Sequence, residues 1–155
     1  MATAAEVQLE ALRTAINGGN LYLFAGPVPA DETVALDMVV DHTQLVKMTD
    51  GDDGVTGLDF SAPVGDVMAS DGTQDWLGLI AFDGAEDGES SLDATFYRFC
   101  PAGDDGRGAA SGPRLQGTVG GPVSGAKLIL TGGATLTANG VNKQGVSLFT
   151  VSLTD

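Results

Sequence analysis

After residue 19, glycine, proline or aspartate interrupts every apolar run of this sequence before it could form three turns of a helix. Runs this short suit β-strands joined by turns, and they exclude a helical bundle or a membrane-spanning helix in this part of the chain. The runs predict strands over residues 21–24, 43–48, 58–61, 67–69, 75–82, 94–100, 114–119, 126–130 and 146–153. Frequent short strands predict a mainly β fold, an antiparallel β-sandwich or a jelly-roll or barrel. The last run changes phase near Leu148, which predicts a β-bulge there.

One helical pattern precedes the strands, over residues 4–17. Apolar side chains recur along it at helical spacing, at Ala5, Leu9, Leu12 and Ile16. Thr3 is placed to cap the N-terminus, with Glu6 completing a capping box, and Gly18 follows the end of the pattern as a left-handed stop. The sequence therefore predicts a short N-terminal α-helix.

A helix of this length is marginal by itself, so its apolar face needs a packing partner. That partner is either the rest of the same chain or a neighbouring subunit. We therefore divide the chain into residues 1–19, an N-terminal helix and candidate docking arm, and residues 20–155, a single β domain.

Charge is unevenly distributed along the chain. There are 21 acidic and 7 basic residues, a net charge of −14, which argues against direct binding of nucleic acid or an anionic membrane. Residues 31–105 hold 18 of the acidic residues, whereas residues 106–154 hold none. If the fold separates these stretches, the charge-poor face is typical of an interface. If the strands interleave, the asymmetry disappears. The candidate partner-interface residues are Leu9, Leu12, Ile16, Arg107, Arg114 and Lys127.

Residues suited to catalysis are scarce. His42 is the sole histidine, and we interpret it as a surface or loop residue because nothing in the sequence supplies a nucleophile for it. Cys100 is the sole cysteine and ends an aromatic strand, which favours a buried structural role. A single cysteine excludes an intrachain disulfide and fits assembly in a reducing cytoplasm. We therefore expect a protein that is not an enzyme.

The acidic turn at residues 50–54 resembles the opening of a calcium-binding loop. The match fails further on, because the twelfth position is Ser61 where an EF-hand requires glutamate. A calcium site of another kind, built from Asp50, Asp52 and Asp53, stays open as an alternative. The main interpretation is ordinary turn chemistry, with no cofactor.

Several segments carry a family resemblance: residues 21–30 (LYLFAGPVPA), 57–63 (GLDFSAP), 94–100 (ATFYRFC), 114–120 (RLQGTVG) and 146–153 (VSLFTVSL). Together they resemble a family of small structural proteins of tailed bacteriophages. The resemblance implies a virion protein without catalytic residues. The role it favours is capsid decoration, or cement, on the capsid exterior. The alternative role is a component of a neck, collar or tail ring.

This resemblance also implies partners and a location. The protein would be made in the host cytoplasm and would then bind the major capsid protein. It would also bind itself, as a homo-oligomer such as a trimer.

Overall fold

The computed structural model of the chain describes residues 1–83 and 90–153. One helix, α1 (Ala4–Ile16), precedes eleven strands. The strands are β1 (Asn20–Ala25), β2 (Thr43–Asp50), β3 (Val67–Ala69), β4 (Trp76–Asp83), β5 (Ser90–Asp93), β6 (Phe96–Cys100), β7 (Leu115–Gly120), β8 (Leu128–Ile129), β9 (Thr135–Ala138), β10 (Lys143–Val146) and β11 (Thr150–Ser152).

Seven of these strands form one sheet, in the order β10-β4-β2-β1-β6-β7-β8. Neighbouring strands run antiparallel except for β7 and β8, which are parallel. The sheet curls into a half-barrel with two smaller sheets, β11-β3 and β5-β9. The predicted mainly β fold with a short N-terminal helix is confirmed, and the parallel pair makes the sheet mixed.

The central strands β1 and β6 are buried on both faces. Leu21, Leu23 and the other odd-numbered residues of β1 face a large apolar core, which we call the main core. Tyr22 and Phe24 face the opposite side and pack with Phe96 in a smaller cluster, the second core. Burial on both faces explains why the sequences of these two strands are nearly continuous apolar runs without polar alternation.

Aromatic rings fill the middle of the main core. Phe60 and Phe99 lie 5.0 Å apart between ring centroids, and Trp76 stacks on Phe149 at 5.7 Å. Tyr97 meets Phe149 edge to face at 5.1 Å. These offset and edge-to-face arrangements are the ones that aromatic rings prefer in protein interiors.

The helix closes one side of the main core. Thr3 and Glu6 form the expected capping box, and Gly18, with φ +84°, ends the helix in the left-handed conformation. Leu9 and Ile16 are fully buried among main-core residues. The apolar face of the helix therefore packs on its own chain. None of the described helices is long and apolar enough to cross a membrane.

Polar contacts fix the junction between the helix and the sheet. The side-chain oxygen of Asn17 accepts a hydrogen bond from the backbone N–H of Phe60 (2.8 Å), and Arg13 Nε donates to the Phe60 carbonyl (2.8 Å). Glu6 accepts from the backbone N–H of Gly65 (2.8 Å). These bonds join both ends of the helix to the segment between β2 and β3.

Two strand predictions were wrong in detail, and two short strands were not predicted. Residues 58–61 make only isolated bridges, because the chain there crosses between sheets. Residues 146–153 divide between β10 and β11, which lie in different sheets, so the expected bulge near Leu148 is a break in the strand. Strands β5 and β9 were missed, since each is four residues long and β5 is mostly exposed and polar.

Candidate functional site

Two long loops cover the second core. Residues 26–42 connect β1 to β2, and residues 101–114 connect β6 to β7. The loops are hydrogen-bonded to each other: Leu36 N–H donates to the Arg107 carbonyl (2.7 Å), and Ala110 N–H donates to the Thr33 carbonyl (3.1 Å). We call these two loops together the loop lobe.

Arg98 anchors the lobe to the sheet. This arginine lies in β6 and is fully buried. Its Nε donates to Gln116 Oε1 (2.8 Å), and Nη1 donates to the carbonyl of Gly106 (2.7 Å). Its Nη2 donates to the carbonyls of Val34 (2.7 Å) and Asp31 (3.2 Å). One guanidinium thus joins a sheet side chain to the backbones of both loops.

Arg114 forms a second anchor at the end of the lobe. Its Nε and Nη2 bind both carboxylate oxygens of Asp104, at 2.6 and 2.7 Å. Its Nη1 donates to the carbonyls of Gly108 (2.8 Å) and Glu32 (3.1 Å). This bidentate pair holds the pKa of the Asp104 carboxyl below its ordinary value. Arg114 is thus a structural residue.

The predicted interface residues do not form one surface. Leu9, Ile16 and Arg114 are buried, and Leu12 is half-buried against the main core. Arg114 is buried because it neutralises a carboxylate within the same chain, so its expected surface position was wrong. Lys127 is exposed and borders a shallow groove of about 210 Å³ that Tyr97 and residues of β7 and β11 line.

Arg107, the remaining candidate, is half-buried in the lobe, where its Nη2 donates to Gln44 Oε1 (3.1 Å). Residues of the acidic stretch and of the basic stretch contact each other at two ion pairs. Lys143 of β10 pairs with Asp52 at 3.1 Å, and Arg114 pairs with Asp104. The charge asymmetry along the chain does not produce two separate faces at these contacts.

His42 holds the end of the first loop. Its Nε2 lies 2.8 Å from the Pro27 carbonyl, and Nδ1 lies 3.1 Å from the backbone N–H of Asp37. A carbonyl only accepts and an N–H only donates, so in this arrangement Nε2 donates to Pro27 and Nδ1 accepts from Asp37. The ring also meets Phe96 edge to face at 5.6 Å. His42 is a half-exposed loop residue, as expected, and it fixes the loop to the second core.

Gly26 permits this close packing. It has φ +113°, and a Cβ at this position would lie 2.2 Å from the Asp41 carbonyl oxygen. The two ends of the first loop therefore meet at a position that accepts only glycine. Between them, the turn of residues 37–41 projects to solvent with Val39 and Val40 exposed. We call this turn the valine tip.

The valine tip was not predicted from the sequence. No strand and no role were predicted for residues 37–41. The available signal was a pair of adjacent valines, Val39 and Val40, between the turn-forming residues Asp37 and Asp41. The signal was weak, because exposure of the valines depends on which side chains of the loop enter the second core.

Cys100 is a buried structural residue, as predicted. The thiol is fully buried in the second core, and burial raises its pKa to about 12. A thiol with so high a pKa is almost entirely protonated at neutral pH and is a poor nucleophile. Burial also raises the pKa of the neighbouring Tyr22 hydroxyl to about 12.

The candidate calcium ligands make hydrogen bonds and an ion pair within the chain. Asp50 accepts from the N–H of Asp75 (2.9 Å), and Asp53 accepts from the N–H of Thr56 (2.7 Å). Asp52 pairs with Lys143. Within residues 1–83 and 90–153, no group of three or more histidine, cysteine or acidic side chains is arranged to hold a metal ion.

Comparison with protein-family models, with curated proteins and with solved structures finds no match for this chain. The resemblance to phage structural proteins therefore rests on the sequence segments alone.

Proposed function

We propose that this chain is a non-enzymatic structural protein of a tailed-bacteriophage virion, a capsid decoration protein that binds the outer shell. The observation that carries the proposal is the position of the segments that resemble phage proteins. Residues 21–30, 94–100 and 114–120 contribute the adjacent strands β1, β6 and β7 and the start of the first loop. Three of the five resembling segments therefore form the framework that supports the loop lobe.

The lobe suits a binding role because it is ordered before any partner arrives. Two buried arginines, Arg98 and Arg114, fix its backbone, and Leu36 and Met38 pack on the second core. An element that is already ordered loses little conformational entropy on binding. A rigid contact element on a small β domain is what a decoration protein needs.

Decoration acts through many copies. Each copy would make a modest contact with the major capsid protein, and copies that bridge several subunits would resist rupture of the shell by avidity. Self-association into a ring or trimer would increase this effect. Because each copy has a net charge of −14, copies would repel one another except where they are bound next to each other on the shell.

The experiment that tests this proposal is a measurement of copy number. Particles of the source phage are purified on a gradient, and this chain is quantified against the major capsid protein by mass spectrometry. We expect a copy number comparable to that of the capsid protein. A small fraction of that number would contradict decoration and favour a neck, collar or tail ring. Absence from the particle would overturn both virion roles.

A further inference from the structure

We infer that the valine tip is the anchor by which the chain docks on the particle, and that it enters an apolar pocket bordered by lysine or arginine side chains on a shell subunit. This inference rests on the proposed decoration function and names the contact that would perform it.

The two valines of the tip are exposed to solvent. Val39 is 93% and Val40 is 79% exposed. Among the large hydrophobic residues exposed in the described part of the chain, they are the only two adjacent in sequence. Single exposed valines are normal on protein surfaces, but two at the end of a projecting turn form a compact apolar contact.

Hydrogen bonds fix the backbone of the valine tip. Asp37 Oδ1 accepts hydrogen bonds from the backbone N–H groups of Val39 and Val40, both at 3.1 Å. The Asp37 carbonyl accepts from the N–H groups of Asp41 (3.1 Å) and His42 (2.8 Å). One aspartate thus closes the turn from both its side chain and its backbone. The two valines are held outward in a single arrangement.

The apolar side chains next to the valines point in the opposite direction, towards the second core. Leu36 and Met38 are partly buried against the second core, whereas Val39 and Val40 are not. The loop therefore has enough apolar side chains to cover the core and presents two more to solvent. These two are unused by the fold of the chain and available to a partner.

Charge identifies the kind of partner. Asp37 and Asp41 flank the valines and are exposed, as is Asp31 in the same loop. Three arginines contact the lobe, and all three are hydrogen-bonded within the chain: Arg98 and Arg114 are buried, and Arg107 is half-buried and donates to Gln44. The border of the tip is therefore negative, and it complements a pocket with a basic border. A second copy of this chain fits less well because its net charge is −14.

The test uses purified full-length protein and particles from a phage deleted for this gene. The double variant Val39→Ser, Val40→Ser removes the apolar contact without changing charge, and Val123→Ser is the matched control at a 100% exposed valine between β7 and β8. We expect the double variant to bind particles about 100-fold more weakly in a cosedimentation assay, and the control to bind as the wild type does. Circular dichroism of each variant verifies that the fold is retained.

The outcomes separate the two proposals. Failure of the wild-type protein to bind particles would overturn the decoration role and the anchor together. Wild-type-like binding of the double variant would overturn the anchor alone. If the double variant loses self-association in sedimentation velocity but still binds particles, the tip is a contact between copies, and the inference is again overturned.

Discussion

Different structural elements cover the two faces of the seven-stranded sheet, and different interactions hold them there. On one face, α1 and the smaller sheets place aromatic and aliphatic side chains against β1 and β6. On the other face, a few apolar side chains lie beneath two loops whose backbones are held by arginine. The same two strands therefore support a core that depends on packing and a lobe that depends on hydrogen bonds.

The difference follows from what covers each face. A helix satisfies its backbone groups internally and a strand does so by pairing with its neighbours, so both can cover a core with side chains alone. A loop leaves carbonyl groups without partners, and burying them is costly unless a donor reaches them. Arg98 supplies several donors from one buried side chain and so allows irregular backbone to lie on the sheet.

The largest expected effect is loss of this donor. In Arg98→Met the carbonyls of Gly106 and Val34 lose their partner, and the free energy of unfolding should fall by about 4 kcal/mol. Urea denaturation followed by tryptophan fluorescence measures this change. Lys47→Met, which removes an exposed positive charge from β2, is the control and should change stability by less than about 0.5 kcal/mol. An equally small change in Arg98→Met would show that the stability of the loop lobe does not depend on the Arg98 guanidinium.

The main core provides the corresponding test for packing. Leu9 is fully buried against it, so Leu9→Ala should lower the free energy of unfolding by about 3 kcal/mol. Val7→Ala, at a residue of the same helix that is 59% exposed, should have little effect. If α1 were a detachable arm, Leu9→Ala would leave the denaturation midpoint of the β domain unchanged.

A smaller effect, and one that depends on pH, is expected at the second arginine. Arg114 lowers the pKa of Asp104, so the pair stabilises the fold above the ordinary aspartate pKa of about 4 and loses that contribution as the pH falls through the folded value. Asp104→Asn should therefore cost about 2 kcal/mol at pH 7 and less at pH 2, because the contribution shrinks once the pH is below the ordinary aspartate pKa. Thermal denaturation across this range measures the difference, with Asp66→Asn at an exposed site as control. An equal cost at both pH values would exclude an ionic contribution.

The smallest expected effect lies at the start of α1. Thr3→Ala removes the side chain that caps the helix and should cost about 1 kcal/mol. Thr14→Ala makes the same change inside the helix, where the hydroxyl bonds only the Glu10 carbonyl and alanine is the better helix former. It should leave stability unchanged or raise it slightly. Equal losses in both variants would mean that the cap has no special role.

The main core and its helix could largely be predicted from the sequence, whereas the loop lobe could not. The capping box of Thr3 and Glu6 is a local pattern, and the apolar run of β1 indicates burial without any knowledge of its neighbours. Arg114 looked like a surface residue because its partner, Asp104, is brought to it only by the return of the chain between β6 and β7. Local patterns do not encode such a contact.

Arg98 and the C-terminal strands show the same limit. A charged residue between Tyr97 and Phe99 signals burial only once both faces of β6 are known to be covered. The apolar residues around Leu148 indicated a strand but not that the chain changes sheets there. The valine tip was missed because its exposure is decided by the packing of Leu36 and Met38 beneath it.

The central claim is that the loop lobe is a fixed part of the structure, and native-state amide hydrogen exchange tests it most directly. The amides of Leu36, His42 and Ala110 donate within the lobe, and those of β1 and β6 donate within the sheet. We predict that the lobe amides are protected with opening free energies of several kcal/mol, approaching those of the sheet. Exchange of the lobe amides at the rate of an unstructured chain, while the sheet amides stay protected, would contradict the claim.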